Sequence, residues 1–560
     1  MKITNLSGKE RLAYVRELYE AALSASSETV ARLEKNLSQY LGTDEIDGSS
    51  ERALTVRNIT FELIESEVSP DVPSPKVDAD FYTEHRERNA RSIERLCGSL
   101  KGKLPIESIN DSDERNTYVF GASVFYVEWD NAEGGVRIHT LSPLSFVPQP
   151  GIPDTADMEY CFLCFSTPRG ELSSKYKVKR EDLSLAQTEY EYGADGLSDT
   201  VSLVVCFYRS ETGEIGKFVF SGELILEDLP SYYRRKISLC SKCGSIYGSC
   251  SCKDSEPVKD DLIYESVCTE GGEIALPYYL PRRFPIVVRK NSFSDGSLYG
   301  VSDCEVIRPQ QQAINKIESR ILKKLLRAAV TPVIPEGSSV TPNNSVFGEV
   351  IKMRPGESLD CYGKIDTTPD ISEDIKEADR LYDHAKRVLG ISDAYLGRES
   401  HVGESGYSLH LRISQSSGRL ESKRRLKRLA YAELYKLVFE HYLAFSDEVR
   451  PLSYKDSHGK VHDSVFSRYD FIEQMPFPHY DDEYIFTSDT ELAAEYERDA
   501  LWQKNLSNLK EGTLGDKENP ETLLRYWQAQ ERAHYPGARE MVEYFKDIIK
   551  AKEGEKKNER

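Results

Sequence analysis

The residues best suited to chemistry lie in one stretch, SLCSKCGSIYGSCSCKD. Cys240 and Cys243 have CxxC spacing, and further on Cys250 and Cys252 have CxC spacing. A CxxC knuckle sets two sulfurs at the separation one tetrahedral Zn²⁺ requires, and Gly244 and Gly248 permit the tight turns between ligands. Four protein thiolates leave no coordination position for water, so the expected zinc is structural rather than catalytic. The plain alternative is four free thiols in a polar loop, which would be open to oxidation. A second CxxC, Cys161 and Cys164 in EYCFLCFS, falls in a strand-like run. Positions i and i+3 of a strand face opposite sides, so core packing is expected there. Cys97, Cys206, Cys268, Cys304 and Cys361 are isolated and read as structural.

Other catalytic signatures are missing. There is no GxxxxGK[ST] phosphate loop, and GEIGK lacks its spacing. HExxH and GxSxG do not occur. Asp481, Asp482 and Glu483 in PHYDDEYIF read as a solvated loop rather than a metal cluster. Enzyme signatures are thus mostly absent. Two basic runs remain: Lys316, Arg320, Lys323, Lys324 and Arg327, and then Arg419, Lys423, Arg424, Arg425, Lys427 and Arg428. Each is either a solvated helix face or a surface for nucleic acid or an acidic neighbouring subunit.

Composition narrows the choice. The 560 residues carry 93 acidic and 73 basic side chains, a formal charge of −20. An acidic chain is a poor tight binder of phosphates, although it can carry local basic patches. The hydrophobic fraction of 39% is enough for real cores, which excludes global disorder. No run of 18 apolar residues occurs, so no membrane span is expected. The opening MKITNLSGKERLAYVRELYEAAL lacks a secretory apolar core and reads as an amphipathic helix. With 11 Cys at irregular spacings, reduced thiols or a metal are expected instead of a disulfide framework.

The elements that must position these residues follow from periodicity. Helices are expected over 8–40, 57–68 and 79–100, the second ending before the Pro-rich SPDVPSPKV. From about 117 the pattern turns to strands: TYVFGASVFYVEWD, then 159–166, 201–209, 215–220 and 284–289. A long helix is expected over 308–330, spanning on the order of 30 Å. Ser372 is expected to cap the next helix, which Gly390 ends. A Gly-punctuated loop fills 392–406, a helix runs 407–445, short strands fill 446–487, and helices follow from 490 with a disordered last ten residues.

The order of these elements resembles the portal protein of tailed bacteriophages over residues 50–490. The carriers are RNITFELIESEVSP, Gly121 in TYVFGASVFYVEWD, HTLSPLSFVPQ, RPQQQAINKIESRILKKL, ISEDIKEADRLYDHAKRVLGIS, and SGYSLHLRISQSSGRLESKRRLKRL. The last opens on Ser405-Gly406-Tyr407-Ser408-Leu409, similar to a small-residue SG-x-[AS]-L helix start. The resemblance implies an α+β protomer. Its wing would be 1–305 with a four-Cys zinc insertion at 238–256, its stem helices 306–330 and 371–390, and its clip 331–370. A tunnel loop, long helix and wing return would fill 391–490, and a helical crown with a disordered tail 491–560. The four-Cys insertion departs from the general portal pattern.

The same resemblance implies a ring of twelve subunits at one capsid vertex of the virion, assembled in the host cytoplasm. The ring would nucleate head assembly with the major capsid protein and scaffold. It would dock the terminase large subunit, pass double-stranded DNA during packaging and ejection, and hold a head-completion adaptor. Arg398, His401 and Glu404 would lie in the tunnel loop. Lys316, Arg320, Lys323, Lys324, Arg327, Arg419, Lys423 and Arg424 would be DNA-facing or inter-subunit positions. Two other readings are a zinc-stabilised nucleic-acid-binding protein or nuclease, and a different virion scaffold.

Overall fold

The structure is a computed structural model. Its described residues are 6–43, 57–179, 188–190, 200–240, 257–333, 363–391, 418–489 and 502–549, with short interruptions, and a few single residues outside those spans. The chain is α+β, with helices and several antiparallel sheets. Among the described residues, the helices include α1 (Gly8–Ala25), α2 (Ser27–Leu41), α3 (Ile59–Glu67), α4 (Glu84–Lys103), α5 (Ile106–Phe120), α6 (Arg169–Tyr176), α7 (Asp303–Leu326), α8 (Ser372–Leu389), α9 (Gly418–Phe445) and α10 (Pro520–Arg532). Two compact units divide it. The first takes Met1–Ala31, Val68–Val301 and Ser422–Arg560, and the second Arg32–Glu67 and Ser302–Glu421. Residues 32–67, assigned from sequence to the same region as the rest of 1–305, thus belong with 302–421.

In the first unit a six-stranded antiparallel sheet runs Phe146–Pro148, Tyr160–Pro168, Thr200–Arg209, Ile215–Ser221, Leu224–Leu229, with Thr188–Tyr190 also on Thr200–Arg209. One face, with Phe162, Val204 and Phe218, is covered by Leu12 and Val15 of α1. The other, with Leu163, Val205 and Phe207, packs on Val124 and Tyr126 of the strand Ala122–Asp130. That strand lies between Ile286–Lys290 and Gly135–Leu141 in a three-stranded sheet. Its alternate residues Phe125 and Val127 face a second core built with α4 and α9. Burial on both faces explains why ASVFYV is an unbroken buried run. The second half of α9 is buried almost all round, with Tyr431, Leu434, Val438 and Leu443 in one core, as its apolar sequence requires.

Several expectations are corrected. The segment 8–40 is two helices broken at Ser26, in the helix-poor stretch Ser24-Ala25-Ser26-Ser27. The TYVF of 117–120 is the last turn of α5, not a strand; Gly121, at φ 84°, stops the helix. α7 starts at Asp303, ahead of the expected 308, because the Ser302 hydroxyl accepts the Cys304 N–H and acidic residues fill the first turn. Ser372 is the first helical residue of α8 and not its cap; the Asp370 carboxylate accepts both its N–H (2.9 Å) and its hydroxyl (2.6 Å). Gly390 ends α8 as expected, at φ 87°.

The acidic run near 481 is only partly solvated: Glu483 is exposed and Asp482 half-buried, but Asp481 is not. Asp481 is buried against Arg86 of α4 at 2.6 Å, and Asp482 accepts the Tyr279 hydroxyl at 2.8 Å. Arg86 lies 4.0 Å from the Phe81 ring centroid and is itself buried, so it requires a buried counter-charge.

Candidate functional site

In the second unit α7 and α8 run antiparallel. Gln310 meets His384 at 3.4 Å toward one end, and Arg320 and Lys324 meet Asp374 toward the other. The seam between them is Ile307, Ile314, Tyr382, Ala385 and Leu389, joined by Ile59 and Leu63 of α3. Beyond α7 the strand Val330–Val333 pairs antiparallel with Gly363–Asp366, just ahead of α8. The chain therefore leaves one helix and returns to the other through a two-stranded ribbon. Pro332 sits within this ribbon, where an edge position tolerates its missing N–H.

The basic positions on α7 divide. Lys316 is exposed, while Arg320 and Lys324 share the Asp374 carboxylate, Lys324 at 2.5 Å. The Lys324 hydrogen bond, with the Arg320 charge, holds the Asp374 carboxyl below its ordinary range. Lys323 lies half-buried on the same helix, and Arg327 lies outside the described residues. On α9, Arg419 occupies the first turn, Arg424 is exposed, and the Lys423 ammonium stands 5.0 Å from the Tyr118 ring centroid. Arg428 pairs with Asp489 at 3.4 Å.

Arg425 is exposed, whereas Lys427 of the same basic run is buried in the first unit, in a network not evident from the sequence. The Lys427 ammonium lies 3.1 Å from Glu114 and donates to the Asp71 carbonyl at 2.7 Å. Arg289 lies 2.7 Å from the same Glu114 oxygen and pairs with Asp113. The Tyr118 hydroxyl and the Ser69 amide donate to the other Glu114 oxygen. Burial alone would raise the Glu114 carboxyl, but Arg289 and Lys427 hold it down at about 2. Burial raises Asp113 and lowers Lys427. One signal was available. Ile106, Ile109, Asp113, Glu114 and Thr117 share one helical face, which places two carboxylates among apolar positions.

Cys161 and Cys164 behave as expected of a strand. Cys161 is buried in one core, and Cys164 turns to the other face, 3.4 Å from the Tyr19 hydroxyl. Cys97, Cys206 and Cys304 are buried and unbridged, and burial pushes their thiols up. Cys240 is the last residue of the strand Lys236–Cys240, opposite Pro257 of the antiparallel strand Pro257–Asp261. Cys243, Cys250, Cys252, Cys361, Arg398, His401 and Glu404 lie outside the described residues. Among the described residues no group of three or more His, Cys, Asp or Glu is arranged to hold a metal, and no helix is long and apolar enough to cross a membrane.

No family model matches the chain, and a search of curated proteins likewise finds no match.

Proposed function

We propose that the chain is the protomer of a homo-oligomeric portal ring of the tailed-phage type, with no catalytic residues of its own. The observation that carries this reading is the antiparallel pair α7 and α8 continued into the ribbon Val330–Val333 and Gly363–Asp366. A helix pair that ends in a small strand-bearing module is what a stem and clip require. The α5–Gly121–strand order of the first unit adds support, because it follows the wing order of the resemblance. On this reading 331–370 meets the terminase large subunit and the head-completion adaptor. The ring nucleates head assembly with the capsid protein and scaffold, in host cytoplasm and then at a virion vertex. Duplex DNA is cargo that passes through, with Arg398, His401 and Glu404 of the tunnel loop facing it. A charge of −20 suits a conduit that must not hold phosphates tightly, and exposed cations such as Lys316 and Arg424 guide the duplex.

The zinc expectation joins the proposal. The strands Lys236–Cys240 and Pro257–Asp261 pair antiparallel, and the sequence between them carries Cys243, Cys250 and Cys252. A structural Zn²⁺ there would contribute folding energy to that segment directly. Metal content of wild type against Cys243→Ser tests it; equal zinc in both removes the metal from the reading.

Particle size tests the ring. Sedimentation and negative-stain images of the purified chain should show closed rings of about twelve protomers. A 63.6 kDa monomer under all conditions, with no ring, would overturn the proposal.

A further inference from the structure

Four polar atoms of the first unit are buried without a hydrogen-bond partner on residues that the fold brings together. They are Asp113 Oδ1, Thr117 Oγ1, Ser123 Oγ and Arg289 Nε. Asp113 and Thr117 lie one turn apart on α5, hence on one face. Arg289 and Ser123 are register partners on adjacent antiparallel strands, so their side chains leave the same face of the sheet. Arg289 Nη1 donates to the other Asp113 oxygen and so joins helix to sheet at this point. None of the four residues is more than 1% exposed.

The chemistry of the four atoms selects their ligand. Arg289 Nε can only donate, a carboxylate oxygen can only accept, and the two hydroxyls can do either. A cation would be repelled by Arg289 and an anion by Asp113. An apolar group would leave all four atoms unpaired. A water molecule donates two hydrogen bonds and accepts two, which matches one obligate donor, one obligate acceptor and two adaptable hydroxyls.

We propose that Asp113, Thr117, Ser123 and Arg289 hold an internal water. It would close a polar circuit around the helix-to-strand turn at Gly121, whose carbonyl accepts the Asn291 and Gly300 amides. The water then extends the Arg289–Asp113–Glu114–Lys427 network to Ser123 on the neighbouring strand, and the charged core of this unit is hydrated at one end.

A high-resolution map of the full wild-type chain should show ordered solvent within about 3.2 Å of at least three of the four atoms. Its absence overturns the proposal. Thr117→Val keeps shape and removes one hydroxyl. If the water is held, this change and Ser123→Ala each lower the urea midpoint of unfolding, because the remaining partners lose a bond. If either hydroxyl is a simple orphan, its removal relieves a buried polar group, and an unchanged or raised midpoint in both variants sinks the idea. Thr117→Ser retains the hydroxyl, and its map should retain the solvent; loss of the solvent there also counts against the site.

Discussion

Two carboxylates in this protein each meet one Arg and one Lys, and their surroundings differ most in burial. Glu114 meets Arg289 and Lys427 in the first unit, with side chains 1%, 1% and 4% exposed. Asp374 meets Arg320 and Lys324 in the second, with side chains 9%, 57% and 37% exposed. Water screens the second trio and competes for its cations, so it gives direction to the α7–α8 pairing at little net energy. The first trio is screened by nothing. Its charges are tolerable only while every partner is present, because a lone buried charge is far more costly than the pair. The same residue types therefore act as a replaceable surface clip in one unit and as an indispensable core node in the other.

The largest test of this contrast is Arg289→Met. It leaves Asp113 and Glu114 adjacent in the interior with Lys427 as their remaining cation, and it should destabilise the first unit by about 3–5 kcal/mol in denaturant unfolding. A loss no larger than that of a surface pair would refute the buried-node account.

A single buried group without a counter-charge should behave by the same rule. Burial lowers His441 from its ordinary 6.5 to about 4, with its Nδ1 on the Leu437 carbonyl at 2.8 Å. The unfolded chain then binds a proton at higher pH than the folded one. Stability is full above pH 6.5 and falls as pH drops toward 4, by about 3 kcal/mol for the whole window. The pH slope of unfolding should flatten in His441→Gln; an identical slope would show that other groups set it.

In the second unit, backbone geometry should outweigh the surface ions. Gly390 holds φ 87° at the end of α8, and Gly390→Ala should cost about 1 kcal/mol. The smallest effect belongs to Asp374→Asn, whose change in unfolding midpoint should be near experimental error and vanish in high salt. If Asp374→Asn proves worse than Gly390→Ala, the exposed clip has been undervalued.

The parts of the fold legible in the sequence are those governed by local rules. The boundaries of α8 near 372 and 390, the strands at 160–168, 200–209 and 215–221, and the opposite facing of Cys161 and Cys164 all follow from period, Gly and charge at helix ends. The misses share another cause. Asp481 reads as a surface acid because nothing nearby in sequence shows that Arg86 awaits it. Lys427 reads as one more cation of a basic run, although a single helical turn carries it from water into the core.

By itself, then, the sequence determined part of the inventory of elements, the net negative charge, the four-thiol motif and the absence of familiar catalytic motifs. These depend on composition and on neighbours within a few residues. Only the tertiary structure decided which charges are buried, that residues 32–67 join 302–421, and that Asp113, Glu114, Arg289 and Lys427 form one node. The reason is dielectric. An ion pair's worth is set by how much water its partners leave behind, and that depends on segments brought together from far apart in the chain.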